Sequence, residues 1–382
     1  MKYFTFLFTL LLFSVFTLKT FAQTIPQHDH VVICVLENHS SSGIVGSFFA
    51  PYINSLIGGT HTAHFTESYG LTHPSQPNYL MLYSGTNQGV TDDADPGTWP
   101  FTTPNLGAQL LDGGYSFIGY SEDLPDVGSN VSTSGDYARK HNPWVNWQDA
   151  STNGVPAISN QPFTSFPSDF STLPTLSFVI PNLAHDMHDP IILPTAISNG
   201  DTWVQDFLDS YIQWAKTNNS LFILTFDEDD QLSSNHILTL FIGENVIAGD
   251  YSEHIDHYDI LRTLEDMYGL PYAANASLAT PITDCWVQTT IGINEAENNT
   301  ENMLYPNPAS STVTMDVNSD LDESAHVTIS NVLSQTVAAF DKQLTRGNNK
   351  FTLQVDKLEN GTYFVTIKSS QKSVVKKLTV KN

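Results

Sequence analysis

His30–Asn38 reads HVVICVLEN: an apolar run that stops abruptly at two polar side chains. An unbroken β-branched run without alternation is what a strand needs when both of its faces are covered. That is the condition of a central strand in a parallel α/β sheet. In such sheets ligands bind just beyond the carboxyl ends of the strands. Glu37 and Asn38 stand at that place and are the first candidate site residues.

The same order recurs along the chain. Leu176–Ile180 is strand-like and is followed by PNLAHDMHD, which carries His185, Asp186 and His188. Leu221–Phe226 is followed at once by Asp227, Glu228, Asp229 and Asp230, and Ile237–Ile242 is preceded by His236. Helical periodicity lies between these runs. It is read over Phe48–Ile57, over Asp201–Lys216 with Val204, Leu208, Tyr211 and Ile212 on one face, and over His257–Tyr268, closed by Gly269. Alternating strands and helices predict an α/β fold: a mostly parallel sheet with helices on both faces. Residues 92–170, rich in Pro, Gly, Ser and Asn, are expected to form loops, short helices and a lid.

Thr72–Gly85, THPSQPNYLMLYSG, runs from a polar loop into a buried-type helix. Ser75 is expected at the N-cap, with Pro77 tolerated in the first turn. Two readings stand side by side. Ser75 caps the helix, or it is a nucleophile whose ionisation and anionic substrate are favoured by the helix N-terminus.

Charge narrows the function. Between Gln23 and Thr290 there are 30 acidic and 4 basic residues, the latter being Arg139, Lys140, Lys216 and Arg262. Such a body does not suit nucleic acid, whose affinity comes from Lys and Arg on phosphates, nor an anionic membrane surface. A phosphate substrate would need a cation to screen the field. Two of the four basic residues are adjacent in YARKHNPW, so Arg139, Lys140 and His141 are candidate phosphate contacts. The two cysteines, Cys34 and Cys285, are far apart in sequence, and Cys34 lies in the apolar strand, as a buried free thiol does. Residues 1–22 read as a secretory signal peptide, with a basic start, an apolar middle and Ala22 before the cleavage point.

Carboxylates and imidazoles at three strand ends are what a divalent metal site requires. Glu37, Asn38, Asp186, Asp227 and Glu228 are the candidate ligands. His188 and His257 are candidate acid–base groups, with His185 as a further choice. His73, two residues before Ser75, is a candidate substrate contact.

These stretches together resemble the phosphoesterase family that contains bacterial phospholipases C and acid phosphatases, a branch of the alkaline-phosphatase-like superfamily. ENHS, THPSQPNYL, YARKHNPWVN, LPTLSFVIPN with DMHD, NNSLFILTFDEDD and HYDILRTLEDMYGL carry the likeness in consistent order over Val31–Trp286. The resemblance implies Ser75 as nucleophile and Asn78 as a donor to a phosphoryl oxygen. Better-known metallophosphatases of the superfamily end their first strand in Asp and carry a later Asp-His pair. Here those places hold Glu37-Asn38 and Asp227-Glu228. Oxygen-rich ligands favour Ca²⁺ or Mg²⁺ over a pair of Zn²⁺ ions, with Zn²⁺ or Mn²⁺ as the alternatives. The expected activity is metal-dependent hydrolysis of phosphomonoesters, a phospholipid among the substrate classes, through a phosphoserine. The alternatives are a phosphodiesterase or phospholipase C, and a silent binding protein.

After a polar stretch read as a linker, 291–303, the last 79 residues from Leu304 carry 7 acidic and 9 basic groups. Their alternating runs predict a small antiparallel β-sandwich. LYPNPA, GTYFVTI and the Lys-rich end resemble the sorting domain of the type IX secretion system. That resemblance implies delivery outside the cell or onto its surface by that machinery. The expected organisation is therefore a signal peptide over 1–22, a catalytic body over 23–290, the linker, and a sorting domain over 304–382.

Overall fold

A computed structural model describes residues 25–188, 193–287, 304–319, 321–331, 336–369 and 373–381. The signal-peptide and linker readings lie outside the described residues. The chain forms two compact units that divide after Gln288.

The first unit is built on an eight-stranded sheet. Its strands are β1 (His30–Leu36), β2 (Thr62–Tyr69), β3 (Phe117–Ser121), β6 (Asn160–Pro162), β7 (Leu176–Ile180), β8 (Ser220–Phe226), β9 (His236–Gly243) and β10 (Gly249–Asp256). A separate two-stranded ribbon pairs β4 (Thr133–Ser134) with β5 (Tyr137–Ala138). The order across the sheet is β10-β2-β9-β8-β1-β7-β3-β6. All neighbours are parallel except β9, which runs antiparallel to β2 and β8.

Strand β1 sits between β8 and β7 and is buried on both faces. Val31, Ile33 and Val35 belong to one core with α3 (Ser75–Ser84), α4 (Leu106–Asp112) and α6 (His257–Tyr268). Val32, Cys34 and Leu36 belong to the other, with α2 (Pro51–Leu56) and α5 (Leu193–Ala215). The short α1 (Ser41–Ile44) follows β1. Two layers of helices thus explain why this strand has no polar face. Both cysteines are free and buried.

The region 92–170 departs from the expectation of loops and a lid. It contributes β3 and β6 to the main sheet, and Trp144 packs so closely on Gly119 of β3 that any side chain there would collide with it. Helix α5 begins eight residues before the predicted Asp201. Asp201 serves instead to accept from the Tyr52 and Ile53 amides, fastening α2 to α5.

The second unit is all antiparallel. It contains β11 (Leu304–Tyr305), β12 (Thr312–Ser319), β13 (Glu323–Asn331), β14 (Thr336–Leu344), β15 (Gly347–Gln354), β16 (Gly361–Lys368) and β17 (Ser373–Val380). They form a three-stranded sheet, β11-β12-β15, and a four-stranded one, β14-β13-β16-β17. Val313, Met315, Val327, Ile329, Val365 and Ile367 form a core with residues of both sheets, as a sandwich requires. No helix among the described residues is long and apolar enough to cross a membrane.

One buried carboxyl makes the first unit's stability depend on pH. Glu265 of α6 is fully buried, and its Oε1 accepts from the Ala273 amide at 2.7 Å. Oε2 has no hydrogen-bond partner. Burial raises the Glu265 pKa from 4.5 to about 7. The folded protein therefore keeps a proton that the unfolded chain releases. This contribution is complete below about pH 4 and is lost as pH rises through about 7. Glu265→Gln should flatten that decline by on the order of 2 kcal/mol between pH 4.5 and 7.5 in urea unfolding. An unchanged slope would remove Glu265 as its source.

Candidate active site

Helix α3 begins at Ser75, and the N-cap is Pro74, which makes no side-chain cap bond. The expected N-cap position of Ser75 is therefore one residue out. As the first helical residue its hydroxyl does not serve its own helix. It donates to Glu37 Oε2 at 2.9 Å, with the Asp227 carboxyl also in hydrogen-bond reach. The capping explanation for this serine thus falls away.

Three adjacent strands deliver the groups around it. Asn38 ends β1 in the left-handed region, at φ 53°, a conformation asparagine tolerates better than most residues. Its amide donates to Asp227 Oδ1 at 3.0 Å, just past β8. The Glu37 amide donates to the Asp186 carbonyl at 2.8 Å, just past β7. Glu37 Oε1 accepts from the Tyr79 hydroxyl at 2.6 Å, and His141 Nε2 stands 3.2 Å from the same oxygen. A cavity of about 410 Å³ opens above these groups, lined among others by Asn38, His39, Ser75, Asp93, His188 and Glu228.

Burial governs the electrostatics. Desolvation pushes the Glu37, Asp186 and Asp227 carboxyls well above their ordinary range, and the neighbouring carboxylates push the same way. Glu228 is raised to about 8, chiefly by desolvation and then by Glu37 and Asp93. Burial drives the His141 ring well down, and Lys140 and His188 add to it.

The predicted residues separate into those at the cavity and those behind it. Ser75, Asn38, His188 and Glu228 line it, while Glu37 and Asp227 lie directly behind Ser75 and Asn38. Asn78 is not poised for a phosphoryl oxygen. Its Oδ1 accepts from the Leu71 and Thr72 amides, and its Nδ2 donates to the Thr72 carbonyl and Glu228 Oε2. It braces the loop that leads into Ser75. His73 is held between Glu228, at 3.1 Å, and Asp229, at 3.3 Å.

The basic pair serves the scaffold. Arg139 is 4% exposed, donates to Asp95 and Asn146, and lies under Trp99. Lys140 donates to Asp93 at 2.6 Å. Both line a separate cavity of about 290 Å³, so their expected phosphate contacts give way to fastening the acidic loop 93–95. His141 is buried between Glu37 and Asp186, its Nδ1 being 3.6 Å from Asp186 Oδ2, and does not face the cavity.

Asp186 lies behind His141, and its Oδ1 accepts from the His188 amide, so it is not placed as a ligand at the cavity. His257 lies 2.7 Å from the Asp227 carbonyl and is buried, and burial lowers its pKa. It supports Asp227 rather than reaching a leaving group. His185 pairs with Glu122 and stacks on Trp203, away from the cavity.

Sequence reasoning missed His39, Asp93 and Tyr79. Only Tyr79 left a signal, standing four residues, about one helical turn, after Ser75.

Among the described residues no three His, Cys, Asp or Glu side chains stand converged as a ready ligand group. The unpartnered atoms tell more. Asn38 Oδ1 and Asp227 Oδ2 are buried acceptors without a donor, beside three carboxyls of raised pKa. Buried acceptor oxygens with no donor, among carboxyls that resist ionising side by side, fit a hard cation that would displace the carboxyl protons. Glu37, Asn38, Asp227 and Glu228 are the residues able to hold one.

The assignment of Arg139 to the scaffold has a direct consequence. Arg139→Gln leaves Asp95 and Asn146 short of a partner and should destabilise the protein by about 1–3 kcal/mol. KM for an aryl phosphate should stay within about twofold, because no binding contact is removed. A large rise in KM without a fall in thermal midpoint would return Arg139 to the substrate.

Comparison with known proteins places the chain in a family. The Phosphoesterase family profile matches residues 61–271, and that of a secretion system C-terminal sorting domain matches residues 303–381. A phosphatidylinositol-3-phosphatase of Mycobacterium tuberculosis is 47% identical over 267 residues, covering 69% of this chain and 85% of that protein. An acid phosphatase of Aspergillus fumigatus is 31% identical over 268 residues, 64% of this chain and 58% of that longer protein. Among solved structures, a protein in the alkaline phosphatase superfamily from Vibrio parahaemolyticus aligns over 94% of this chain and 84% of its own. The identity is 11% and the TM-score 0.49, a likeness too slight to build on. The sorting domain addresses the chain to the cell surface or beyond it. The chain thus belongs to the phosphoesterase family, hydrolases of phosphate-ester bonds, and ends in a secretion-sorting domain.

Proposed function

We propose that this chain is a secreted, metal-dependent acid phosphatase that hydrolyses phosphomonoesters through a phosphoserine intermediate. The observation that carries the proposal is the Ser75 hydroxyl, freed from capping, hydrogen-bonded to Glu37 at the N-terminus of a wholly buried helix. Ser75 Oγ attacks phosphorus and loses its proton towards Glu37 or Asp227. His188, at the cavity wall, gives a proton to the departing alkoxide. The same group then takes a proton from water as it attacks the phosphoserine; the Ser75 Oγ–P bond breaks, Oγ recovers its proton from Glu37 or Asp227, and inorganic phosphate leaves. Asn78 and His73 keep the 71–74 loop and Glu228 in place throughout. A divalent cation, Ca²⁺ or Mg²⁺ by its donor set, would be held by Glu37, Asn38, Asp227 and Glu228 and would neutralise the phosphoryl oxygens.

The acid phosphatase reading draws support from the fungal relatives' names, and the mycobacterial relative's name puts a phosphoinositide among the substrates to be tried. A type IX route of export, with residues 1–22 as signal and residues 291–303 as linker to the sorting domain, completes the proposal.

Two substitutions separate the roles. Ser75→Ala should retain metal binding while turnover falls by about three orders of magnitude or more. Asp227→Ala should lose affinity for the metal as well, and excess metal should restore part of its activity. Acid quenching of wild type with labelled substrate should trap phosphate on the protein, and none on Ser75→Ala. Near-normal turnover by Ser75→Ala would end the nucleophile assignment.

A stop after residue 288 tests the organisation of the chain. The remaining body should fold and hydrolyse p-nitrophenyl phosphate at the rate of the full chain, yet stay inside the cell. Loss of activity with the tail would make the second unit part of the catalytic architecture.

A further inference from the structure

Ser75 and Tyr79 stand four apart on α3, so both side chains leave the helix on one face. They take hold of the same carboxyl. Ser75 Oγ donates to Glu37 Oε2 at 2.9 Å and Tyr79 Oη donates to Glu37 Oε1 at 2.6 Å. We infer that Tyr79 is a positioning residue: its hydroxyl fixes the plane of the Glu37 carboxyl and through it aims the Ser75 nucleophile. The inference rests on Ser75 being that nucleophile.

Three observations carry it. First, Glu37 has no contact with solvent, so its two oxygens depend entirely on protein partners for their hydrogen bonds. A carboxyl on a two-carbon stem rotates freely about its last bond unless both oxygens are engaged. Tyr79 is the short, direct partner of the oxygen that Ser75 does not use. Second, the phenol itself cannot wander. Its ring stacks on His141 with centroids 5.2 Å apart and planes 19° apart, and His141 in turn stands 3.2 Å from Glu37 Oε1. Ring, imidazole and carboxyl thus lock one another. Third, Tyr79 is 1% exposed and does not line the cavity, so it has no route to the substrate except through Glu37.

The two-point grip also explains why a tyrosine stands in an otherwise apolar helical stretch. Leu80, Met81 and Leu82 pack, whereas Tyr79 reaches the end of β1. A phenylalanine there would fill nearly the same volume and keep the stack on His141, yet leave Oε1 without a hydrogen-bond donor.

Tyr79→Phe is therefore the test, made in the full-length protein and compared with Glu37→Gln and the double variant. Tyr79→Phe should lower kcat about 10- to 100-fold, as expected for leaving a buried carboxyl oxygen without its donor. KM for p-nitrophenyl phosphate should stay within about twofold, and the rate of acid-trapped Ser75 phosphorylation should fall in step with kcat. If Tyr79 acts only through Glu37, the double variant should be no slower than Glu37→Gln alone. A kcat within about twofold of wild type for folded Tyr79→Phe, or additive losses in the double variant, would overturn the inference. Should Tyr79→Phe not fold, His141→Gln, which frees the ring from its stack, must give the same kcat loss at unchanged KM, or the inference fails. Ser75→Ala keeps the readings apart. If it is inactive while Tyr79→Phe is unimpaired, only the positioning role is lost.

Discussion

The end of β1 forces a carboxyl into a place without water, and the surrounding structure is arranged to accommodate it. Bringing an ionised carboxylate out of water costs several kcal/mol even after the protein relaxes. Glu37 has to be there because a strand covered on both faces delivers its next residue into the interior. The surroundings answer in two ways. Ser75 and Tyr79 of α3 donate to its two oxygens, and the His141 ring stands 3.2 Å from Oε1. The carboxyl's own pKa rises, as those of Asp227 and Asp186 do beside it. A cluster that repels itself in this way is poorly suited to be only a structural device, since apolar groups would stabilise the same volume better. It is well suited to receive a cation.

The part of the fold that the sequence made legible was the part whose burial pattern is simple. Strand β1 carries no polar residue after His30, and helix α6 carried both its apolar face and Gly269, which closes it in the left-handed region at φ 64°. Strand β2 was hidden because its sequence, TAHFTESY, is too polar to look central, although β2 lies between β10 and β9. Its polar side chains are satisfied by partners that no sequence window contains. Ser68 Oγ, Thr239 Oγ1 and Thr225 Oγ1 form a buried chain of hydroxyls across three strands, at 2.7 and 2.8 Å. Strand β10, GDYSEHID, is an edge strand and half exposed, so it shows no apolar run.

The site divides in the same way. Strand ends could be read, because position after a buried run places a residue on the rim. Partners could not. Arg139 and Lys140 stood out for their rarity, and rarity drew them towards the substrate. What they meet is Asp95 and Asp93, which lie more than forty residues earlier in the chain. Asn78 looked like a free amide and is instead fully engaged by the loop in front of Ser75. In each case the side chain is polar and buried, so its partner decides its role, and only the folded chain reveals the partner.

The fate of the cations is the strongest physical support for a metal. The first unit carries four Lys and Arg side chains after Gln23 against 30 acidic ones. Arg139 holds Asp95, Lys140 holds Asp93, Arg262 holds Asp266 and packs on Tyr272, and Lys216 donates to Gln213. Every one has another commitment, and among these side chains none lines the cavity above Ser75. A phosphate monoester arriving there brings one to two negative charges into a field that is already negative. Unit charges 4 Å apart repel by about 1 kcal/mol in water and about 4 kcal/mol near a protein surface. The N-terminus of α3 offers the equivalent of about half a charge, too little to reverse that sum. Lys140 acts on Glu37, Asp227 and Glu228 from its place beside Asp93, and a bound cation would add the compensating charge that this one side chain does not supply. The buried, donorless oxygens of Asn38 and Asp227, next to Glu37 and Glu228, are where a divalent ion would be received.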